Sequence, residues 1–289
     1  MNKSKVGLLY ILPWLIGFIF LTAYPFLNAL VTSFTDYNLI GSAHFVGLQN
    51  YITLFGKNDF LKTLNNTFIY TLLTVPLQLA FALLVAFILN FELKGIRFYR
   101  TAYYIPSILG GNVAVAVLWR FMFQQKGIVN YILGLFGVAP IGWFSRPAGA
   151  MTIIILLKIW QFGSSMLIFL AALKNVPKEL YEAADVDGAK KFRQFFTITI
   201  PLITPTIFFN LVMQLNNAFQ EFNGPYLVTG NGPLNATYMT SMFIYDNAFK
   251  YYRMGYASAA SWVLFGIIVL ITLVLFYTQD KWVFYSDEG

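Results

Sequence analysis

Six long apolar stretches constrain the fold of this chain more than any other feature of its sequence. Each is long enough to cross a hydrocarbon core of about 30 Å, which takes roughly 20 apolar residues in a helix. Because backbone polar groups in lipid must be satisfied within the chain, such stretches predict helices. The predicted fold class is therefore all-α, a polytopic membrane protein with six transmembrane helices. The stretches lie at about residues 7–34, 64–90, 101–124, 151–173, 201–222 and 255–278.

The composition argues against several other classes of protein. Hydrophobic residues make up 58% and charged residues 11% of the 289 residues, which is more apolar than one soluble core of this size needs. The chain has no Cys, so it forms no disulfide and no thiolate metal site. The formal net charge of +7 comes from basic residues in short loops beside apolar stretches. That pattern is typical of membrane topology, so we expect lipid around the chain and no nucleic-acid partner.

The distribution of Lys and Arg predicts the orientation in the membrane. The clusters at 94–100 and 190–193 weigh most, because they lie close to the ends of apolar stretches. They predict that both termini are cytoplasmic. The loops on the other side, at about 35–63, 125–150 and 223–254, are rich in Gly, Asn, Pro and aromatic residues, as structured loops often are. With no soluble domain boundary evident, residues 1–289 are predicted to form a single transmembrane domain.

A small acidic segment interrupts this apolar chain at about residues 174–200, in the predicted cytoplasm. Pro177 suits a helix start, and Lys178 to Asp187 is compatible with a helix. Gly188 permits a left-handed turn, after which Ala189 to Thr197 is predicted as a second short helix. Its small and acidic residues fit a plug that sits in a groove of another protein. They fit a solvated cytoplasmic loop about as well.

A family resemblance decides between these two interpretations. Glu182-Ala183-Ala184, Gly188 and Ile198-x-Ile200-Pro201 match the EAA loop of the inner-membrane subunits of ABC importers, with Ile200 in place of Leu as the only departure. The run PKELYEAADVDGA and the following ITIPLITP resemble the carbohydrate-uptake branch in particular. Similarity extends over nearly the whole chain, for example at LPWLIGF (12–18) and FYRTAYYIPSILG (98–110). The resemblance implies that the residues that couple to the ATPase are Glu182, Ala183, Ala184, Asp187 and Gly188.

The same resemblance implies the partners and the location. It implies a type I ABC importer permease (MetI-like) fold in the bacterial cytoplasmic membrane, paired with a second homologous permease subunit. Two ATPase subunits would drive import of a sugar or oligosaccharide delivered by an extracytoplasmic solute-binding protein. ATP and Mg would bind the ATPase subunits, and this chain would bind no cofactor and no metal. Independently, the sequence lacks a glycine-rich phosphate loop ending in Gly-Lys-Ser/Thr, so we expect no ATPase activity and no catalytic residues in this chain.

Two functions of other classes are alternatives to this one. A secondary transporter or channel for small polar solutes would need coupling carboxylates deep in the spans, yet acids are nearly absent there and Glu221 lies close to an end. A membrane enzyme acting on lipid or glycan would need a clustered catalytic set, which the sequence does not display.

Polar residues inside the apolar stretches predict the transport path. In the fifth stretch Asn210, Gln214 and Asn217 fall on one helical face, and Trp160 and Gln161 are adjacent in the fourth. Amide side chains suit sugar hydroxyls because they both donate and accept hydrogen bonds, while aromatic rings cover the apolar faces of a pyranose. The alternative is that these amides join neighbouring helices, for about 0.6 kcal/mol each.

Two cations raise the question of a charged substrate. Arg120 and Lys158 place positive charge at or inside the outer half of the predicted bundle. They would attract an acidic sugar such as a uronate. The structural alternative is an ion pair between Lys158 and Glu221, or a Lys158 side chain that extends toward the outer interface.

Overall fold

Helices dominate the computed structural model, which describes residues 3–91 and 95–284. Within these residues the only β pairing is an isolated antiparallel bridge between Thr35 and Phe45, so the predicted all-α class is confirmed. The α-helices are α1 (Lys3–Phe18), α2 (Tyr24–Ser33), α3 (Gln49–Gly56), α4 (Asn58–Asn90), α5 (Ile96–Leu109), α6 (Val113–Met122), α7 (Ile128–Leu135), α8 (Pro147–Trp160), α9 (Gly163–Lys174), α10 (Lys178–Val186), α11 (Lys191–Gln194), α12 (Ile200–Phe219), α13 (Thr240–Tyr245) and α14 (Met254–Thr278).

Four continuous helical runs in the described residues are long and apolar enough to cross a membrane. They cover most of the first, second, fifth and sixth predicted stretches, with somewhat different ends. The first run passes from α1 to α2 through a π-helical turn at Ile19–Ala23. The runs are Tyr10–Ser33, Asn58–Asn90, Lys191–Phe219 and Met254–Lys281.

The third and fourth predicted stretches are bent pairs of helices instead of straight spans. Helices α5 and α6 meet at an angle of 101°, and α8 and α9 meet at 42°. The first bend contains Gly110 and Gly111, after which the side-chain oxygen of Asn112 accepts a hydrogen bond from the backbone N–H of Ala114 at 2.8 Å. This N-cap starts a new helix, because its oxygen is an acceptor for a backbone N–H in the first turn of α6 that has no carbonyl partner within the helix. The stretch predicted as a spanning helix over 101–124 is therefore a bent pair of helices in the structure.

The predicted second short helix at Ala189–Thr197 is also different in the structure. Helix α11 begins at Lys191 and continues through a π-helical turn, Phe195–Thr199, into α12 without a break. Pro201 causes no interruption because it lies in the first turn of α12, where a missing N–H is tolerated. The acidic segment is thus one separate helix, α10, followed by the start of a long span.

The chain divides into two compact units. Unit 1 comprises the chain up to Lys62 together with Thr240–Gly266, and unit 2 comprises Thr63–Met239 and the chain from Ile267. The predicted single domain stays a prediction. In unit 1, Phe26 packs against Trp262 with ring centroids 4.6 Å apart.

Unit 2 is built around a close approach of α5 and α9. A Cβ atom added at Gly163 would fall on the backbone carbonyl oxygen of Tyr103, so only glycine lets the two helices pack this closely. The largest side chains buried in this unit include Tyr70, Ile153 and Phe169. This packing holds the two bent pairs side by side.

The loops that connect the spans contain helices of their own. Helix α3 lies in the loop at 35–63, α7 in the loop at 125–150 and α13 in the loop at 223–254. The loop composition predicted order there without predicting helices. Of the inner cations used for orientation, Lys94 lies outside the described residues.

Candidate functional site

The loop at residues 174–200 ends helix α10 in a way that requires glycine. Gly188 has a φ of 72°, in the left-handed region. The N–H of Ala189 donates to the carbonyl of Ala184 at 2.9 Å, and the N–H of Gly188 donates to that of Asp185 at 3.0 Å. This pair of bonds is a Schellman motif, which satisfies the last carbonyls of a helix. The predicted left-handed turn is therefore present.

A carboxylate ties the two sides of this turn together. Asp185 accepts a hydrogen bond from the ammonium of Lys191 at 2.9 Å and another from the side-chain amide of Gln194. The bond from Lys191, followed by that from Gln194, lowers the pKa of Asp185 below its usual value. Gln194 is only 1% exposed, and it also donates to the carbonyl of Ala189 at 2.9 Å. Helix α10 is thereby fixed to the start of the long span.

Sequence reasoning missed Asp185 and Gln194. They lie on opposite sides of the glycine turn, so no helical periodicity relates them. The nearest signal was the acidic run itself, in which the family resemblance implied a role for Asp187 instead. In the structure Asp187 is exposed, and its carboxylate makes no hydrogen bond to any described residue.

The predicted coupling residues lie on an accessible surface. Glu182, Ala183, Asp187 and Gly188 are exposed, and Ala184 is half-buried. Apolar side chains accompany them: Val186 is 88% exposed and Phe192 is 78% exposed. Apolar groups grouped on a polar loop mark a surface that another protein can cover.

The three amides predicted on one face of the fifth span have different environments. Asn210 is buried and donates to the carbonyl of Thr206 in its own helix at 3.1 Å. Gln214 donates to the hydroxyl of Ser165 on α9 at 2.9 Å. Asn217 is exposed, and its amide has no hydrogen-bond partner among the described residues. The face is shared, but only its last residue presents a fully available amide.

Gln161 lies at the bend between α8 and α9 and joins the two bent pairs. Its side-chain amide donates to the carbonyl of Gly110, at the other bend, at 3.2 Å. Its own carbonyl accepts hydrogen bonds from the hydroxyl of Ser107 at 2.9 Å and from the amide of Gln78 at 3.3 Å. We call these four residues the bend cluster. The sequence predicted Gln161 on the transport path without indicating its contact with Gln78.

The two cations Lys158 and Arg120 differ in whether they form an ion pair. Lys158 and Glu221 form an ion pair with 2.8 Å between nitrogen and oxygen, and their side chains are only 16% and 15% exposed. This is the structural alternative that the sequence left open. Trp160, two residues further along, packs against Trp119 with ring centroids 5.4 Å apart. Arg120 is exposed and makes no ion pair within the described residues.

Acidic and imidazole side chains do not form a metal site in the part of the chain that the structure describes. No group of three His, Asp or Glu residues there has a geometry that could hold a metal ion. The hydrogen bonds, bends and accessible surfaces described above are the features on which function can be argued.

Comparison with known proteins places this architecture in a family. Residues 51–283 match the family model described as "Binding-protein-dependent transport system inner membrane component". The probable ABC transporter permease protein YesP of Bacillus subtilis (strain 168) is 46% identical over 99% of this chain and 94% of its own length. The sulfoquinovosyl glycerol transport system permease protein SmoG of Agrobacterium fabrum is 36% identical over 95% of this chain and 90% of its own length.

A solved structure supports the same fold. A crystal structure of a bacterial ABC transporter involved in the import of the acidic polysaccharide alginate contains a chain that superposes with a TM-score of 0.84, at 24% identity. The match covers 97% of both chains. Together with the exposed EAA loop and the bent spans, these similarities show that the chain belongs to the family of inner-membrane permease components of binding-protein-dependent ABC importers.

Proposed function

We propose that this chain is one of two homologous permease subunits of an importer that moves a saccharide or oligosaccharide into a bacterial cell. Its family is a multi-pass membrane component that works with a binding protein and with separate subunits that hydrolyse ATP. A saccharide substrate is supported by the relative SmoG, which is named for the transport of sulfoquinovosyl glycerol. It is supported as well by amides and aromatic rings beside the spans of unit 2.

The observation that carries this proposal is the construction of the loop at 174–200. Its predicted coupling residues are exposed except for the half-buried Ala184, while its turn is fixed by the Schellman motif and by the Asp185 carboxylate. A loop with a fixed shape and an accessible surface loses little conformational entropy when it docks. In the proposed orientation both termini and this loop are cytoplasmic, and the loop docks into an ATPase subunit.

The connection from the loop to the membrane is mechanically direct. Helix α11 runs into α12 without interruption, so Lys191–Phe219 forms one run of 29 residues. A displacement of the docked loop would therefore be transmitted along α12. Gln214 on this helix contacts Ser165 near the start of α9, beside the bend cluster. ATP and Mg act on the ATPase subunits, and helix α12 of this chain transmits the resulting movement.

The predicted path residues remain part of the proposal, with different weights. Asn217 offers a fully available amide for a sugar hydroxyl, whereas Gln214 and Asn210 each have one N–H engaged by the protein and keep their carbonyl. Gln161 and Trp160 are held in the bend cluster and against Trp119. We propose that these two residues respond to movement of the bends more than they contact sugar.

A pair of glycine variants tests the docking surface. Gly188 and Gly137 have φ values of 72° and 77°, and a Cβ atom at either would meet nothing within 4 Å. Valine at either position therefore introduces the same backbone strain, about 1–3 kcal/mol. Only Gly188→Val lies in the loop, so only that variant is expected to lose the ATPase subunits when the chain is purified from its native membrane. Gly137→Val is the matched control.

The outcome is measured by the ratio of ATPase subunit to permease, with the second permease quantified in the same sample. We expect Gly137→Val to match the wild type and Gly188→Val to retain membrane insertion with a several-fold lower ratio. Normal ATPase recovery with Gly188→Val would contradict the docking surface. Absence of any ATPase from the wild-type preparation would contradict the proposed function itself.

A further inference from the structure

A cleft of about 480 Å³ opens in unit 2 at the end of helix α6. Helix α8 begins beside it, whereas α9 ends at the loop of residues 174–200, so the cleft lies at the opposite end of unit 2 from that loop. In the proposed orientation this end is extracytoplasmic. Its lining includes Arg120, Gln124, Phe144, Thr229, Asn231 and Gly232.

One wall of the cleft is held by a buried asparagine. Asn130 is 4% exposed, and its side-chain amide donates to the carbonyls of Gln125 and Ile141 at 3.0 and 2.9 Å. Its side-chain oxygen accepts from the N–H of Ile141 and from the indole N–H of Trp143, at 3.1 and 3.0 Å. These bonds fix the turns that carry Gln124 and Phe144.

The opposite wall is a turn with an unusual backbone. Gly230, Gly232, Leu234 and Asn235 all have φ between 55° and 64°. A non-glycine residue in the left-handed region costs about 1–3 kcal/mol and persists only where its surroundings determine it. Here Asn66 of α4 supplies part of that determination, since its amide donates to the carbonyl of Asn235 at 2.8 Å. The shape of this wall is therefore built in before any ligand arrives.

The segments that supply the lining of the cleft carry charge of a single sign. The segments 113–150 and 222–239, which supply the lining, contain Arg120, Lys126 and Arg146 and no Asp or Glu. The neighbouring Glu221 accepts bonds from Lys158 at 2.8 Å and from the N–H of Gly224 at 3.1 Å. In the proposed orientation these cations lie on the side of the membrane where Lys and Arg are depleted. The Lys and Arg bias that orients membrane helices therefore does not explain these three cations.

We infer that this cleft binds the carboxylate of a uronate residue, and that the importer takes an acidic oligosaccharide. The inference rests on the proposed function and adds the chemical class of its substrate. A guanidinium offers a planar pair of donors that matches a carboxylate, the amides of Gln124 and Asn231 suit hydroxyls, and the ring of Phe144 covers an apolar sugar face. A preformed concave site of this volume favours a small ligand over a flat protein surface.

A second explanation of Arg120 makes a different prediction. Arg120 lies in the last turn of α6, where a cation interacts favourably with the helix dipole. That role needs only positive charge, so Arg120→Lys would preserve it. A bidentate carboxylate contact needs the guanidinium fork, so the same change would weaken it.

The test measures, by saturation-transfer NMR, the direct binding of digalacturonate and of neutral galactobiose to the assembled complex without its binding protein. We expect the wild type to prefer digalacturonate, and Arg120→Gln to weaken digalacturonate binding roughly 10- to 100-fold. Arg120→Lys should weaken it to an intermediate degree, and galactobiose should be unaffected by either change. Arg253→Gln, an exposed arginine outside the two segments that supply the lining, is the matched control and should bind as the wild type does.

Three outcomes overturn the inference. The first is equal affinity for the acidic and neutral disaccharides. The second is unchanged digalacturonate binding by Arg120→Gln, and weakened docking of the binding protein by the same variant would then make that protein the occupant of the cleft. The third is full retention of digalacturonate binding by Arg120→Lys, which would assign Arg120 to the helix dipole. If the complex still imports a neutral saccharide with ATP in these cases, the proposed function stands. If no saccharide stimulates ATP hydrolysis, the inference and the proposed function are both overturned.

Discussion

Helices in unit 2 are interrupted in two kinds of place, and the interruptions are built differently. At Gly188 the break faces outward, and the residues around it are exposed. At Gly110 and Gln161 the breaks face inward, and each supplies a carbonyl or an amide to the other. Within lipid a broken helix must find new partners for its backbone, so inward breaks become joints between helices. An outward break at the membrane surface leaves its face for another protein.

Glycine serves the two kinds of break for different reasons. Gly188 is needed for its φ of 72°, and a Cβ atom there would meet nothing within 4 Å. Gly163, just after the inward break, is needed for space, since its Cβ would fall on the carbonyl oxygen of Tyr103. Substitutions at the inward break should therefore affect folding, and those at the outward break should affect assembly.

The largest effect is expected for Gly163→Val. The added side chain collides with backbone, which has no rotamer to escape into, and overpacking of this kind costs about 1–3 kcal/mol or more. We expect low yield and a clearly lower thermal midpoint for the purified chain. Gly134→Val is the matched control, because Gly134 is also helical and a Cβ atom there would meet nothing within 4 Å. Equal thermal midpoints for the two variants would show that the lack of space at Gly163 does not limit stability.

A smaller effect is expected for Gln214→Leu. Gln214 joins α12, the span that continues from the loop at 174–200, to α9, which begins at the bend of Gln161. The change removes the bond to Ser165 and roughly keeps the volume, so a loss of about 0.6 kcal/mol is expected if the amide only joins helices. If it also contacts sugar, weaker saccharide-stimulated ATP hydrolysis should accompany normal complex yield. Gln220→Leu is the control, because Gln220 is the exposed C-cap of the same helix and its amide bonds only to the carbonyl of Asn216 within that helix.

The two readouts separate the roles of Gln214. Normal hydrolysis kinetics with a poorly assembling complex would leave Gln214 as a link between α12 and α9. Altered substrate choice with normal assembly would keep it in the transport path.

Sequence patterns predicted some of these features and missed others for definable reasons. The spans, the acidic helix and the turn at Gly188 follow from local signals: apolar length, a start at Pro177 and a glycine that ends a helix. The bend at Gly110 and the close approach at Gly163 depend on residues far away in the chain, which periodicity within one segment does not report. The same limit applies to the three amides of the fifth span. Helical spacing predicts that they share a face, but it does not predict which residues Gln214 and Asn210 contact.

The smallest effect is expected for Asp185→Asn, in the outward loop. The carboxylate is exposed to solvent, which screens its attraction to Lys191, so the change should loosen the turn without unfolding it. Hydrogen exchange at pH 7 should be modestly faster at the amides of Gly188 and Ala189. Asp187→Asn, where no bond is lost, should leave these amides unchanged. Equal exchange in the two variants would show that the carboxylate does not hold the turn.

The pH dependence of the same contact has a definite sign. Because its hydrogen bonds lower the pKa of Asp185 in the folded loop, its contribution is fully present above the usual aspartate value of about 3.9. The contribution is lost as the pH falls through the lowered pKa of the folded state. Protection of the turn should therefore persist at neutral pH and decrease only in strong acid.

The most direct test of the account is saccharide uptake into sealed proteoliposomes that contain the whole complex. The account predicts that uptake requires ATP and Mg on the side of the ATPase subunits and the binding protein with saccharide on the other side. It also predicts that Gly188→Val lowers uptake several-fold while Gly137→Val does not. Uptake that proceeds without ATP, driven by an ion gradient or by the saccharide gradient alone, would contradict the account and make the chain a secondary transporter or channel.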